Sequence, residues 1–384
     1  MTLITDTSVL ADFCESLKSA AFITVDTEFM RETTYWAKLC LVQVGGPNDA
    51  RCIDPLAPDL DLSPLYDLLA NPDVLKVFHA GRQDLEIFYT ATGAVPTPVF
   101  DTQIAAMVCG FGDQVGYETL VSKLTGGRLD KSQRFTDWAR RPLTDRQVEY
   151  ALGDVTHLRT VYTKLVKKLE QTGRKSWLDE EDAVLASPGT YKVDPREIWR
   201  RIRARTRAPR LLAVLRELAE WRELTAQSLD MPRQRVAKDD ALLELAASLP
   251  KTVDDIKRSR IAKPLASGKY VDGVLEAIVK GLAVPDSECP HLEGGAGRDD
   301  QAPKALIELL KLLLKTKAET HDVAQKLIAS SDDVEAIAQS DSADVPALHG
   351  WRRELFGNDA LKLKHGGLAI GLSADGKSVE VFER

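Results

Sequence analysis

The chain has 384 residues, enough at roughly 100 to 200 residues per domain for two or three domains with cores of their own. Hydrophobic residues make up 44% and charged residues 28%, with 24 Gly and 18 Pro, which excludes disordered, collagen-like and mucin-like chains. Lys and Arg number 51 against 58 Asp and Glu, a formal charge of −7, so bulk attraction to nucleic acid is excluded and only a local basic groove remains open.

AFITVDTEF (Ala21 to Phe29), KLCLVQVG (Lys38 to Gly45), ARCIDP (Ala50 to Pro55) and VLKVFHA (Val74 to Ala80) are short and rich in Val, Ile, Leu and Phe, and each predicts a strand. The first three follow closely enough for an antiparallel meander. LSPLYDLLA (Leu62 to Ala70) and GRQDLEIFYTAT (Gly81 to Thr92) read as helices flanking the fourth strand, which implies a parallel crossover and an α/β layer fold. Further helices are expected at Asp101 to Gly110, with Asp101 as N-cap, at Tyr117 to Thr125 and at Thr144 to Glu170. The last opens T-D-R-Q, where Thr144 and Gln147 make a capping box.

After Gly173 the pattern changes. The polar stretch Thr172 to Pro195 carries Gly173, Pro188 and Gly189 and reads as a connector. Arg210 to Leu229, Asp240 to Leu249, Thr252 to Ile256 and Tyr270 to Leu282 give helical signals, Pro209 marking the start of the first. Val284 to Pro303 reads as a Gly/Pro-rich linker, and a second helical unit begins with Lys304 to Ser330. Leu368 to Phe382 alternates around Asp375-Gly376, which predicts a closing hairpin.

No run of about 18 apolar residues exists, and the opening MTLITDTSVLADF lacks the basic and apolar regions of a signal peptide. No membrane association and a cytoplasmic location are expected. The five cysteines, Cys14, Cys40, Cys52, Cys109 and Cys289, never stand at zinc-knuckle spacing and read as reduced thiols.

Three short segments carry chemistry. In TVDTEFM, Asp26 and Glu28 are two apart in a β run and emerge on one face. Two such carboxylates repel unless compensated, most commonly by a divalent cation; an exposed edge with solvated acids is the alternative. In HAGRQDLEIF a strand ending near His79 turns through Ala80-Gly81 into a helix with Asp84 one turn in, while Glu86 points elsewhere. In VEYALGDVTHL, Tyr150 and Asp154 stand at i and i+4 on one helix face, so hydroxyl and carboxylate can reach a common point.

Taken together, V-D-T-E-F (Val25 to Phe29), H-A-G-R-Q-D-L-E (His79 to Glu86) and Y-A-L-G-D-V (Tyr150 to Val155) resemble the three motifs of the ribonuclease D family of DEDD exonucleases. The resemblance extends to F-D-T-Q-I-A-A (Phe100 to Ala106), T-D-W (Thr136 to Trp138) and R-R-P-L-T-D-R-Q (Arg140 to Gln147). L-R-E-L-A-E-W-R (Leu215 to Arg222) and A-E-T-H (Ala318 to His321) look like the helicase-and-RNase-D C-terminal (HRDC) modules of that family. It implies a ribonuclease H-like 3′-5′ exonuclease domain with a mixed sheet over 1–172, a connector over 173–207, an HRDC domain over 208–286, a linker over 287–303, and a second HRDC-like domain with the hairpin over 304–384.

The same resemblance implies metal ligation by Asp26, Glu28, Asp84 and Asp154, with two ions, Mg²⁺ or Mn²⁺, which suit oxygen ligands and activate water while clamping both reacting oxygens. The position matched by Asp26 bridges the ions. Tyr150, with Glu149 where another branch would have His, places the chain in the tyrosine branch; a phenol of pKa about 10 is a weak base at neutral pH, so orienting the attacking water is the expected role. For Phe29 and His79, contact with the terminal nucleotide and plain packing both stand open. Arg140 and Arg141, with Trp138, are expected to line the substrate entry, the alternative for Trp138 being to anchor its loop to the last helix.

The expected activity is 3′-to-5′ exoribonucleolytic release of nucleoside 5′-monophosphates from RNA such as tRNA precursors with 3′ extensions, by a monomer. RNA over DNA rests on the resemblance alone; a DNA exonuclease and a non-catalytic RNA-binding scaffold are the competing readings. Arg196 to Arg210 contains seven arginines (196, 200, 201, 203, 205, 207, 210) against Glu197 alone, which suits phosphate binding or pairing to acids such as Glu180, Glu181 and Asp182. Because the four acids and Tyr150 precede it, a fragment ending near Arg207 is expected to keep the metal site and activity on short strands.

Overall fold

The computed structural model describes residues 2–291 and 302–384, except 130, 131, 134, 135, 205, 207 and 267. Residues 292–301 of the expected linker, and Arg205 and Arg207 of the basic segment, lie outside the described residues. The chain divides into two units: Met1–Glu28, Cys40–Thr190 and Ala296–Arg384 form the first, Phe29–Leu39 and Tyr191–Gly295 the second.

Six strands form one sheet, β1 (Leu3–Ile4), β2 (Phe22–Met30), β3 (Lys38–Gly45), β4 (Ala50–Ile53), β5 (Leu75–Phe78) and β6 (Val99–Asp101), in the order β1-β4-β3-β2-β5-β6. β3 pairs antiparallel with β4, whereas β1 with β4, β2 with β5 and β5 with β6 are parallel, so the sheet is mixed as expected. Helices α1 (Thr7–Leu17), α2 (Ser63–Ala70), α3 (Arg82–Thr92), α4 (Thr102–Val108), α5 (Tyr117–Thr125), α6 (Asp145–Thr172) and α7 (Lys175–Ala186) accompany it. The capping box at Thr144 and Gln147 forms and starts the 28-residue α6. Inside the layer, the Thr24 hydroxyl donates to Val155 O of α6 at 2.8 Å, which ties β2 to the helix bearing Tyr150 and Asp154.

β1, α1 and β6 were not anticipated. α1 has Asp6 as N-cap, accepting from the N–H groups of Ser8 and Val9, and buries Leu10, Phe13, Cys14 and Leu17 at helical spacing. The expected connector also needs correction, because its first part is α7. Flanking Gly173, Pro188 and Gly189 suggested irregular chain, yet Leu178, Asp182 and Leu185 fall on one buried helical face.

The C-terminal helices α13 (Lys304–His321), α14 (Gln325–Ile328), α15 (Ser331–Gln339), α16 (Gly350–Arg352) and α17 (Asn358–Lys364) and the hairpin β7 (Leu368–Leu372) with β8 (Val379–Glu383) belong to the first unit. Leu310, Leu313, Ile328 and Phe356 share one apolar core with Val77, Ala105, Leu158 and Leu178. Arg174 stitches the parts together: it donates to Val108 O at 3.0 Å, Asp322 O at 3.1 Å and His321 O. Trp177 stacks on Trp351 at 4.6 Å and 10°, and Arg352 pairs with Glu181 at 2.6 Å. A fragment ending near Arg207 would therefore lack part of the first unit's core.

The second unit packs α8 (Pro209–Ser228), α9 (Arg233–Val236), α10 (Asp239–Ser248), α11 (Val253–Arg258) and α12 (Val271–Ala283) around Leu212, Leu218, Leu242, Ile256 and Ile278. The segment Phe29–Leu39 belongs to it, anchored by Tyr35: its hydroxyl meets the fully buried Glu223 at 2.5 Å, and Asp230 accepts from the N–H groups of Tyr35 and Trp36.

Candidate active site

Three of the four predicted acids meet. One oxygen each from Asp26 and Glu28 on β2 and Asp154 on α6 lie within 4.8 Å of one another. Period-two geometry puts the first pair on one face, and helical spacing brings Tyr150 beside Asp154. These residues line a cleft of about 490 Å³ with Thr27, His79, Gly116, Tyr117, Glu118, Thr119, Leu129 and Leu158. Asp84 stands outside that three-carboxylate group, buried in the first turn of α3, and accepts a hydrogen bond from the Thr27 hydroxyl.

The electrostatics are those of uncompensated like charges. Burial, then the charges of Asp154, Asp84 and Glu28, holds the Asp26 carboxyl well above its ordinary range. Burial followed by Asp154 and Asp84 pushes Glu28 up to about 8. Burial raises Asp154 to about 7 and Asp84 to about 6, the Thr27 bond opposing the shift at Asp84. Even the Cys52 thiol behind them is pushed up to about 12 by burial and the charges of Glu28 and Asp26. An all-oxygen donor set whose ionisation is opposed on every side fits a hard divalent cation, which would supply the missing positive charge.

The remaining predicted residues fare differently. His79 lines the cleft, its Nδ1 3.0 Å from Thr102 Oγ1 and its ring 5.3 Å from that of Tyr117. Phe29 follows Glu28 on β2, half-buried, and is not among the cleft's lining residues. Arg140 is exposed. Arg141 is engaged within the protein: all five of its N–H donors are taken, by both oxygens of Asp54 and the carbonyls of Trp138, Arg140 and Cys40. Trp138 is buried, its ring 6.1 Å from that of Tyr150.

Sequence reasoning missed Tyr117. It starts α5, donates to Asp154 O at 2.8 Å and Gly153 O at 3.2 Å, and so fixes the segment of α6 that carries Asp154. An aromatic residue after G-D-Q-V-G (Gly112 to Gly116) gave no local signal of that role.

The basic segment is largely paired, though not to the acids expected. Arg196 meets Glu217 and Glu220, Arg200 meets Glu197, and Arg210 meets Asp286 and the carbonyls closing α12. Arg201 and Arg203 line a second cavity of about 890 Å³ against Asp239, Asp240 and Glu244. It is larger than the acidic cleft, but it lies in the second unit and contains none of the motif residues.

Similarity to known proteins is extensive. Residues 1–170 match the 3′-5′ exonuclease family and residues 212–278 the HRDC domain. Ribonuclease D of Granulibacter bethesdensis is 50% identical over 382 residues, covering 99% of this chain and 96% of that one. Ribonuclease D of a Jannaschia species is 51% identical over 385 residues, covering 99% of both. The crystal structure of Escherichia coli RNase D, an exoribonuclease involved in structured RNA processing, aligns with a TM-score of 0.81 at 30% identity, over 95% of this chain and 98% of that one.

Proposed function

We propose, from the premise that this chain belongs to the ribonuclease D family and is a metal-dependent 3′-to-5′ exoribonuclease, that Asp26, Glu28, Asp84 and Asp154 hold two divalent ions, Mg²⁺ or Mn²⁺, and that Tyr150 orients the attacking water. The observation that carries this reading is the convergence of Asp26, Glu28, Asp154 and Tyr150 on one cleft in which burial and mutual repulsion oppose ionisation.

Bound divalent ions would supply a lowered water pKa and positive charge at the phosphate. The chain's own residues do the rest. Tyr150, whose phenol is too weakly basic to deprotonate water at neutral pH, aligns the water for attack on phosphorus. The P–O3′ bond breaks, the departing 3′ oxygen takes a proton, and a nucleoside 5′-monophosphate leaves. His79 in the cleft and Phe29 on β2 contact the terminal nucleotide, and Arg140 lines the substrate entry.

The biological substrates are proposed to be tRNA precursors with 3′ extensions, processed by a monomer in the cytoplasm. No described helix is long and apolar enough to cross a membrane. The proposed division assigns 1–172 to the exonuclease and 208–286 to the HRDC domain, with 304–384 as a second HRDC-like element built into the catalytic unit.

The test uses purified full-length protein with Mg²⁺, with Mn²⁺ and with chelator, on matched RNA and DNA strands labelled at either end. Progressive shortening of RNA from the 3′ end with monophosphate release is expected, only with metal. Equal turnover of DNA would overturn the RNA specificity, and metal-independent binding without cleavage would make the protein a scaffold.

A further inference from the structure

The turn joining β5 to α3 is tightly constrained. Ala80 takes φ +55°, a left-handed conformation rare for residues with a Cβ. Gly81 is pressed against Phe78 so that a Cβ would lie 2.5 Å from that side chain. Three residues later comes Asp84.

Asp101, at the end of β6, is 2% exposed and grips this turn from the neighbouring strand. Its Oδ1 accepts from Gln103 N at 2.7 Å and Ile104 N at 3.3 Å, the N-cap bonds of α4 that the sequence predicts. It also accepts from Ala80 N at 3.2 Å, and Oδ2 accepts from Gly81 N at 2.8 Å. Helix capping needs only the first two of these bonds. Asp101 is itself held from behind, its N–H donating to Asp182 Oδ1 of α7 at 3.3 Å. The adjacent Thr102 donates to Phe78 O at 2.9 Å and meets His79 Nδ1, so one strand end fixes both sides of the turn.

We propose that Asp101 is a positioning residue of the active site: by accepting from Ala80 N and Gly81 N it fixes the turn that delivers Asp84, so metal binding depends on a carboxylate outside the acidic cleft. This rests on the reading of Asp84 as a metal ligand. Capping and positioning are separable, because Ser and Asn are as good N-caps as Asp. In Asp101→Ser the shorter side chain keeps the cap and loses reach to the turn. In Asp101→Asn the shape is kept, but one acceptor becomes an NH₂ group that cannot accept from a main-chain N–H.

The experiment measures Mn²⁺ binding to the full-length protein by titration calorimetry and amide exchange over residues 79–84 by mass spectrometry. Its arms are Asp101→Ser, Asp101→Asn, Asp84→Asn and Thr252→Ala, the last removing a capping box of the second unit. Both Asp101 variants are expected to lose about 10-fold or more in Mn²⁺ affinity, the scale for groups that orient ligands, with faster exchange across the turn. Thr252→Ala should lower Tm and leave Mn²⁺ binding unchanged. Unchanged affinity and exchange in both Asp101 variants, with Asp84→Asn impaired, would overturn the proposal and leave the ligand assignment standing. Unimpaired binding in Asp84→Asn would overturn the ligand assignment, and the proposal with it.

Discussion

Arg141 grips Asp54 with two prongs, Nε to Oδ2 at 2.7 Å and Nη2 to Oδ1 at 2.6 Å. The Asp54 side chain is only 6% exposed, and the other donors go to main-chain carbonyls of Cys40, Trp138 and Arg140. This arginine ties the segment before α6 to the sheet.

Arg141→Ala should therefore act on stability. Leaving Asp54 buried without its partner is expected to cost on the order of 3 kcal/mol in urea denaturation, while KM for a short RNA stays unchanged. A raised KM with normal stability would return Arg141 to the substrate entry.

At the site itself, Asp26→Asn, Asp84→Asn and Asp154→Asn should each abolish hydrolysis with the fold intact, since each removes a ligand oxygen and a charge. Tyr150→Phe should slow single-turnover cleavage about 100-fold, the effect of losing a positioned hydroxyl contact. Near-normal turnover of any one variant would remove that residue from the assignment.

What was legible in the sequence was local. The Thr144–Gln147 box, the Asp101 cap and the two-residue spacing of Asp26 and Glu28 are short-range patterns, and each appears where predicted. What was illegible depended on distant partners. Nothing near Arg141 announces Asp54, nothing near Tyr117 announces the carbonyl of Asp154, and α7 hid between Gly173 and Pro188 because its buried face packs against α4 and β6, which are distant in sequence. The extent of the first unit's core was illegible for the same reason: the acids precede Arg207, but that core includes Leu310 and Phe356.

That shared core makes truncation a sharp test. A chain ending near Arg207 exposes the apolar faces that Leu313, Ile328 and Phe356 cover, and is expected to aggregate or melt without cooperativity. Arg174→Ala in the full chain should be milder, on the order of 1 to 3 kcal/mol for the carbonyls of Val108, His321 and Asp322 left without their donor. A soluble, cooperatively folding and active fragment would show that the C-terminal helices are dispensable.

The acidic cleft also dictates how stability should vary with pH. Glu28, Asp154 and Asp84 are raised to about 8, 7 and 6, chiefly by burial, whereas unfolded carboxyls titrate near 4. Below about pH 4 both states hold these protons, and the folded state keeps its full advantage. As pH rises past 4 the unfolded chain releases them first, so it binds fewer protons than the folded one and metal-free stability must fall until the folded groups ionise. A divalent metal needs the deprotonated oxygens, so its stabilising effect must grow over the same range. Tm in chelator should therefore decline between about pH 5 and pH 8, and added Mn²⁺ should raise Tm progressively more toward the alkaline end. Asp154→Asn, which cannot ionise, should flatten the decline and weaken the response to Mn²⁺. A metal-free Tm independent of pH, or a Mn²⁺ effect largest at acid pH, would mean that these carboxyls do not share the proton-holding, metal-accepting site described.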